Sequence, residues 1–163
     1  MRRNIPLQHF NGSEWLNAIS RCRQYGDSEI FPGVETGTAE NAQRAMLYTR
    51  TAFESLRSGS TAPENTNDYD AMAHCVGISL IRAIEIAGGE DNPMLDILRP
   101  ARDSVERMRQ RWQRMNVWGF DGPGLQQMVD AIDIYETILE ASTPAQMEIA
   151  MDKRRAILKR MAK

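Results

Sequence analysis

The stretch W-G-F-D-G-P-G, Trp118 to Gly124, sets three glycines, a proline and two large aromatic rings between two long tracts of helical spacing. Upstream, Leu95, Leu98, Ala101, Val105, Met108, Trp112 and Met115 recur at steps of three and four residues, close to a coiled-coil seam. Downstream, Leu125, Met128, Ile132, Tyr135 and Leu139 do the same. Matching seams joined by so short a connection predict two helices lying antiparallel. The glycines supply the positive φ values of a tight reversal, and Pro123 suits the first turn of the second helix. Trp118 and Phe120 then plug the open end of the hairpin. Inside the upstream tract Pro100 removes one hydrogen bond, which predicts a kink or a split after Leu98.

Charge divides at the same corner. Arginines 99, 102, 107, 109, 111 and 114 face only Asp103 and Glu106 within their tract, whereas residues 121 to 140 carry Asp121, Asp130, Asp133, Glu136 and Glu140 and no base. Across an antiparallel hairpin, Arg107, Arg111 and Arg114 are expected near Asp130 or Asp133. Exposed pairs of this kind contribute about 0–1 kcal/mol each, so they fix register more than they stabilise. The alternative reading makes Trp118, Phe120 and Asp121 an exposed docking knob for a protein partner, flanked by Arg107, Arg111 and Arg114, because aromatics beside turns are common interface anchors.

Working outward, the apolar spacing is helical nearly throughout. Residues 1–10 read as a tail. Asn11 and Glu14 have capping-box spacing ahead of Trp15, Leu16, Ile19 and Cys22, and Gly26 ends that helix. Residues 27–37 read as a loop. Thr38 is placed to cap a helix whose stripe is Ala42, Ala45, Met46, Thr49, Ala52, Phe53 and Leu56, with Gly59 as its left-handed stop. Residues 60–67 form a polar loop around Pro63. From about Asp68 to Ala87 the pattern is apolar almost all round, which predicts a central helix, and Gly77 would let a neighbour approach it closely. Asn92-Pro93 and Thr143-Pro-Ala-Gln146 read as two further helix starts, the second a capping box. The expectation is an all-α fold: a single domain over 1–163, built as a bundle of five to six helices, with the fourth and fifth paired as the hairpin.

Composition narrows the function. A chain of 163 residues is long enough to bury a core without disulfides or metals. Net charge is −2, so a whole-protein field for nucleic acid is absent. No apolar run is long enough for a membrane span, and no apolar stretch follows the basic N-terminus as in a signal peptide, so the expected location is cytoplasmic with no membrane partner. Cys22 and Cys75 form no C-x-x-C pair and read as packed thiols. Nucleotide-binding, zinc-protease and serine-hydrolase signatures are missing, and no cofactor is expected.

Four constellations merit a chemical reading beside a structural one. Asp70 and His74 stand four apart on the central helix and could form a carboxylate–imidazole pair; a packed helix start is the favoured reading. Asp130, Asp133 and Glu136 line neighbouring turns, the pattern of a Mg²⁺-dependent nucleotide hydrolase, but that chemistry needs acids on the facing helix, where this chain has arginines. Arg82 and Glu85, within a nearly apolar helix, predict a structural ion pair. The last helix carries Arg154, Arg155, Lys159 and Arg160, which suit either its own dipole or phosphates of a nucleic acid.

The corner, followed by A-I-D-I-Y-E-T-I-L-E and S-T-P-A-Q-M-E-I-A, resembles the C-terminal half of short proteins from phage and plasmid regions of proteobacteria, over about Ala73 to Ala150. The resemblance brings no activity or catalytic residues. It implies an accessory gene product acting on host machinery. The leading expectation is thus a non-catalytic interaction or regulatory protein with a protein partner. A homo-oligomer follows if the last helix has more apolar surface than one bundle can cover. Nucleic-acid association through the basic fourth and sixth helices comes next, and a metal-dependent hydrolase last.

Overall fold

A computed structural model describes residues 39–59, 61, 66–87, 89 and 91–162. The tail, the capped tract from Asn11 to Gly26, the 27–37 loop and the Thr38 cap all lie outside these residues. The described chain forms five helices and no strand: α1 (Ala39–Arg57), α2 (Thr66–Ala87), α3 (Pro93–Met115), α4 (Gly122–Ala141) and α5 (Pro144–Met161). Helix α2, apolar on nearly every side, packs against all four others. Its buried side chains Met72, Cys75, Val76 and Ile78 meet Leu56 from α1, Leu98 and Met108 from α3, and Met128, Ile132 and Tyr135 from α4 in one core.

Local chemistry accounts for most helix ends. Gly59 takes a left-handed φ of 80° and closes α1. Thr143 and Gln146 make the reciprocal capping box that starts α5. Asn92 precedes α3 with no side-chain cap bond; its amide donates instead to the Gly89 carbonyl at 3.1 Å. Pro100 does not split α3, which continues unbroken to Met115. It sits in the second turn, where only one intrahelical bond is lost and the flanking Leu98 and Ala101 are both buried.

The reversal between α3 and α4 differs from a glycine-only turn. The left-handed step after α3 falls to Asn116, with φ 52°, whose N–H returns to the Trp112 carbonyl at 2.8 Å. Of the three glycines in 118–124 only Gly119 has positive φ, at 153°. Gly124 serves close approach instead: a Cβ there would collide with Ser104 Oγ from α3. Asp121 caps α4, its Oδ1 accepting from Gly124 N–H at 2.7 Å.

Candidate functional site

The two aromatics of the corner face inward. Trp118 is 2% exposed and Phe120 7%. Trp118 stacks against Trp112 of α3, with centroids 4.4 Å apart and planes 3° from parallel, and against Tyr69 of α2 at 5.2 Å. Phe120 meets Phe53 of α1 at 5.6 Å. An exposed docking knob built on these rings is therefore corrected: stacking against three helices consumes both of them, and they are the plug. Asp121 stays at the surface but is committed as a cap and as the acceptor from Arg107 Nε at 2.7 Å. The Arg107 guanidinium beside it holds the Asp121 carboxyl below the usual carboxylate range, despite partial desolvation. Arg107 also donates to Gln127 at 3.3 Å, so it belongs to the lock of the corner.

The charge zipper across α3 and α4 is corrected as well. Arg107 reaches Asp121, not Asp130 or Asp133. Asp130 accepts from Gln126 of its own helix at 2.8 Å. The cation that meets Asp133 and Glu136 is Arg50 of α1, at 3.6 and 3.0 Å. On α3, Arg102 pairs with Asp103 and Arg109 with Glu106. That leaves Arg111 and Arg114, in the last two turns, with no hydrogen bond or ion pair among the described residues.

The same geometry bears on the chemical readings. Arg50 stands where a cation would neutralise Asp133 and Glu136, and among the described residues no group of three or more His, Cys, Asp or Glu side chains is placed to hold a metal. His74 is buried, and burial first, then the Arg154 charge, lower its pKa to about 3, so the imidazole is neutral. Burial drives the Cys75 thiol far above its ordinary pKa, which removes the thiolate a nucleophile needs. Arg82 is the expected structural cation: it donates to Glu85 at 2.6 Å and to Ser142 at 3.1 Å, and Lys153 of α5 adds a bond to Glu85 at 2.8 Å. Between them these groups clamp α5 to the end of α2.

The basic row on α5 does not form one face. Arg154 turns inward across Gly77, where a Cβ would come within 2.7 Å of its Nε. Desolvation lowers the Arg154 pKa while Asp70, Tyr69 and Tyr135 oppose that shift. Gly77 thus admits a side chain, not a helix backbone. Arg155 pairs with Asp152 at 3.1 Å. Lys159 and Arg160 remain exposed, with no partner among the described residues. The row read as phosphate-binding therefore reduces to two residues. An open groove between α1 and α4, about 340 Å³, is lined by Arg50, Arg57, Phe53, Leu125 and Val129. Nothing in the sequence pointed to it, because its walls lie some seventy residues apart. No described helix is long and apolar enough to cross a membrane. Comparison of the chain with family models, curated proteins and solved structures finds no match.

Proposed function

We propose that this chain is a non-catalytic interaction or regulatory protein that docks a protein partner through the end of α3, and that it acts in the cytoplasm as an accessory factor of a mobile element on host machinery. The observation carrying this reading is the selective engagement of the arginine tract. Arg102, Arg107 and Arg109 are held in ion pairs by acids of this chain, whereas Arg114 and the half-buried Arg111, whose charge acts on Asp121 without an ion pair, stand beside Met115, itself 61% exposed. Cations outside internal ion pairs next to an uncovered apolar side chain are the composition of an interface. The antiparallel pairing of α3 with α4 belongs to this reading; Ser104 against Gly124 and Arg107 against Asp121 support it. A docking role also agrees with a neutral buried imidazole, a suppressed thiol and carboxylates already paired to arginine. Nucleic-acid association stands second, resting on Lys159 and Arg160.

The test is affinity capture from a bacterial lysate with wild type, with Arg114→Glu, which reverses one exposed charge, and with Arg111→Glu/Arg114→Glu, which reverses both. The expected result is loss of a captured protein on charge reversal. Identical captures, or none with either protein, would overturn the proposal. Trp118→Ala is unsuitable for this purpose, because a buried ring removed from the core alters folding and docking together.

A further inference from the structure

The groove between α1 and α4 is apolar inside and acidic at its mouth. Phe53 from α1 and Leu125, Val129 and Ile132 from α4 form its apolar wall, and its volume of about 340 Å³ lies in the range of ligand sites, roughly 300–1,000 Å³. Val129 is itself exposed there. The two arginines of the lining do not make the groove basic. Arg57 is paired with Glu54 at 3.5 Å. Arg50 meets both Asp133 and Glu136, one cation against two acids. Asp130, bonded at 2.8 Å to Gln126 of the lining, adds a carboxylate that meets no cation among the described residues. The mouth therefore carries surplus negative charge.

The end of α5 has the converse character. Ala150, Met151, Leu158 and Met161 follow helical spacing and share one face. Ala150 and Met151 are buried, but Leu158 is 44% exposed and Met161 77%. The face that packs on α2 thus emerges into solvent with its apolar character intact, and the exposed Ile157 widens it. Lys159 and Arg160 lie on the two flanks of this stripe, exposed and outside any hydrogen bond or ion pair among the described residues.

We infer that the α1–α4 groove seats the end of α5 from a second copy of this chain, with Leu158 and Met161 covered by Leu125 and Val129, and with Lys159 and Arg160 meeting Asp130 and Asp133. The occupant is a second copy because α5 packs on α2 and forms no packed pair with α1 or α4 of its own chain. Charge complementarity selects it. Nucleic acid and anionic lipid carry the wrong sign for this groove. The end of α3 pairs its basic charge with one exposed apolar residue, Met115, whereas α5 presents Ile157, Leu158 and Met161 together. The two surfaces differ, so the contact is head-to-tail: each copy keeps one groove and one helix end for further neighbours, and the assembly grows into a ring or an open chain. A contact of one helix end is small and belongs to the weak class that forms as concentration rises, so the dilute chain keeps α5 open. The inference uses neither Arg111 nor Arg114 and goes beyond the docking reading above.

Sedimentation equilibrium of the full chain at increasing concentration tests it. The weight-average mass is expected to climb above that of the monomer at low salt and to fall back as salt is raised. Leu158→Ser/Met161→Ser, Lys159→Ser/Arg160→Ser and Val129→Lys should each weaken association about tenfold or more, while Arg114→Glu leaves it unchanged. An equimolar mixture of Lys159→Ser/Arg160→Ser with Val129→Lys should associate again and stop at a one-to-one pair, because the first keeps an intact groove and the second an intact helix end. Far-UV circular dichroism confirms that these surface variants fold. A monomer at every concentration, association indifferent to salt or to any of the three weakening variants, or a mixture that does not pair would each overturn the inference. If the chain stays monomeric while lysate capture depends on Arg114, the second-copy seat falls and the docking proposal stands.

Discussion

The corner and the far end of α5 reverse what their compositions advertise. In a tract rich in glycine, proline and aspartate, Trp118, Gly119, Phe120 and Gly124 are buried, while a methionine- and leucine-bearing helix runs out into water. The difference lies in how many elements meet at each place. Trp118 and Phe120 are held by rings from α1, α2 and α3. Helix α5 has α2 as its principal support, through the Arg82–Glu85–Lys153 clamp and the Arg154–Gly77 contact. Burial follows from convergence of elements, and local composition only permits it.

The strongest way to break this contrast is to delete one side chain from each region. Trp118→Ala removes a buried ring stacked on two others and should destabilise by about 3–5 kcal/mol in urea or thermal unfolding. Met161→Ala, at the open end of α5, should stay within about 0.5 kcal/mol of wild type. Comparable losses from the two would show that the end of α5 is covered and the comparison mistaken.

Backbone substitutions should rank the same way. Gly119→Ala places a Cβ at φ 153° and within 3.2 Å of the Gly59 Cα, where no side chain can yield. The expected cost is up to about 3 kcal/mol. Gly77→Ala meets only the flexible end of Arg154, and it gains about 1 kcal/mol of helix propensity. Its net effect in the same unfolding assay should be under about 1 kcal/mol. Equal costs would mean that Arg154 is as rigidly held as the corner backbone.

The buried imidazole on α2 sharpens the comparison through pH. The unfolded chain protonates His74 near its ordinary value of 6.5, the folded chain only near about 3. Between those values the unfolded state binds the extra proton. Stability from this group is therefore complete above pH 6.5 and falls as pH drops toward 3. The slope is about 1.4 kcal/mol per pH unit, giving a loss of about 2 kcal/mol by pH 5. Thermal unfolding of wild type and His74→Leu across this window should show the slope in the first and its removal from the second. Parallel profiles would show that the imidazole is hydrated or has a protonated-state partner.

How far the sequence is legible follows from the range of the interaction. The tracts that became α2 to α5, the Thr143 capping box and the Gly59 stop are local patterns, and they appear within a few residues of where the spacing put them. That α2 lies at the centre was readable because it is apolar on more than one face. The plug formed by Trp118 and Phe120 was one of two readings left open, since a ring beside a turn looks the same before its neighbours are placed. The Asn116 left-handed step and the Gly124 contact with Ser104 were not visible: one depends on backbone geometry at a single residue, the other on inter-helix register. The role of Arg154 was hidden because its position on the wheel resembles that of the exposed bases around it. Of the candidate docking residues, Arg114 is exposed and Arg111 half-buried, both outside any ion pair among the described residues, while Arg107 and Asp121 are bound to each other.

The smallest predicted effect tests the pairing of charges. Arg50, on a helix separate in sequence from the basic tract, takes the acids that the arginines of α3 were expected to meet. Both ends of the Arg50–Glu136 contact are about half exposed, so water and salt screen it, and Arg50→Ala should cost about 0–1 kcal/mol. A double-mutant cycle of Arg50→Ala with Glu136→Ala isolates the pair from the packing of each side chain. A coupling of about 0.3–0.5 kcal/mol that fades as salt is raised is expected there, against no measurable coupling for Arg111→Ala with Asp130→Ala. Coupling in the second cycle and none in the first would restore the α3–α4 charge zipper. It would also withdraw Arg111 from the pool of cations available to a partner, since a guanidinium held by Asp130 has no free fork to offer.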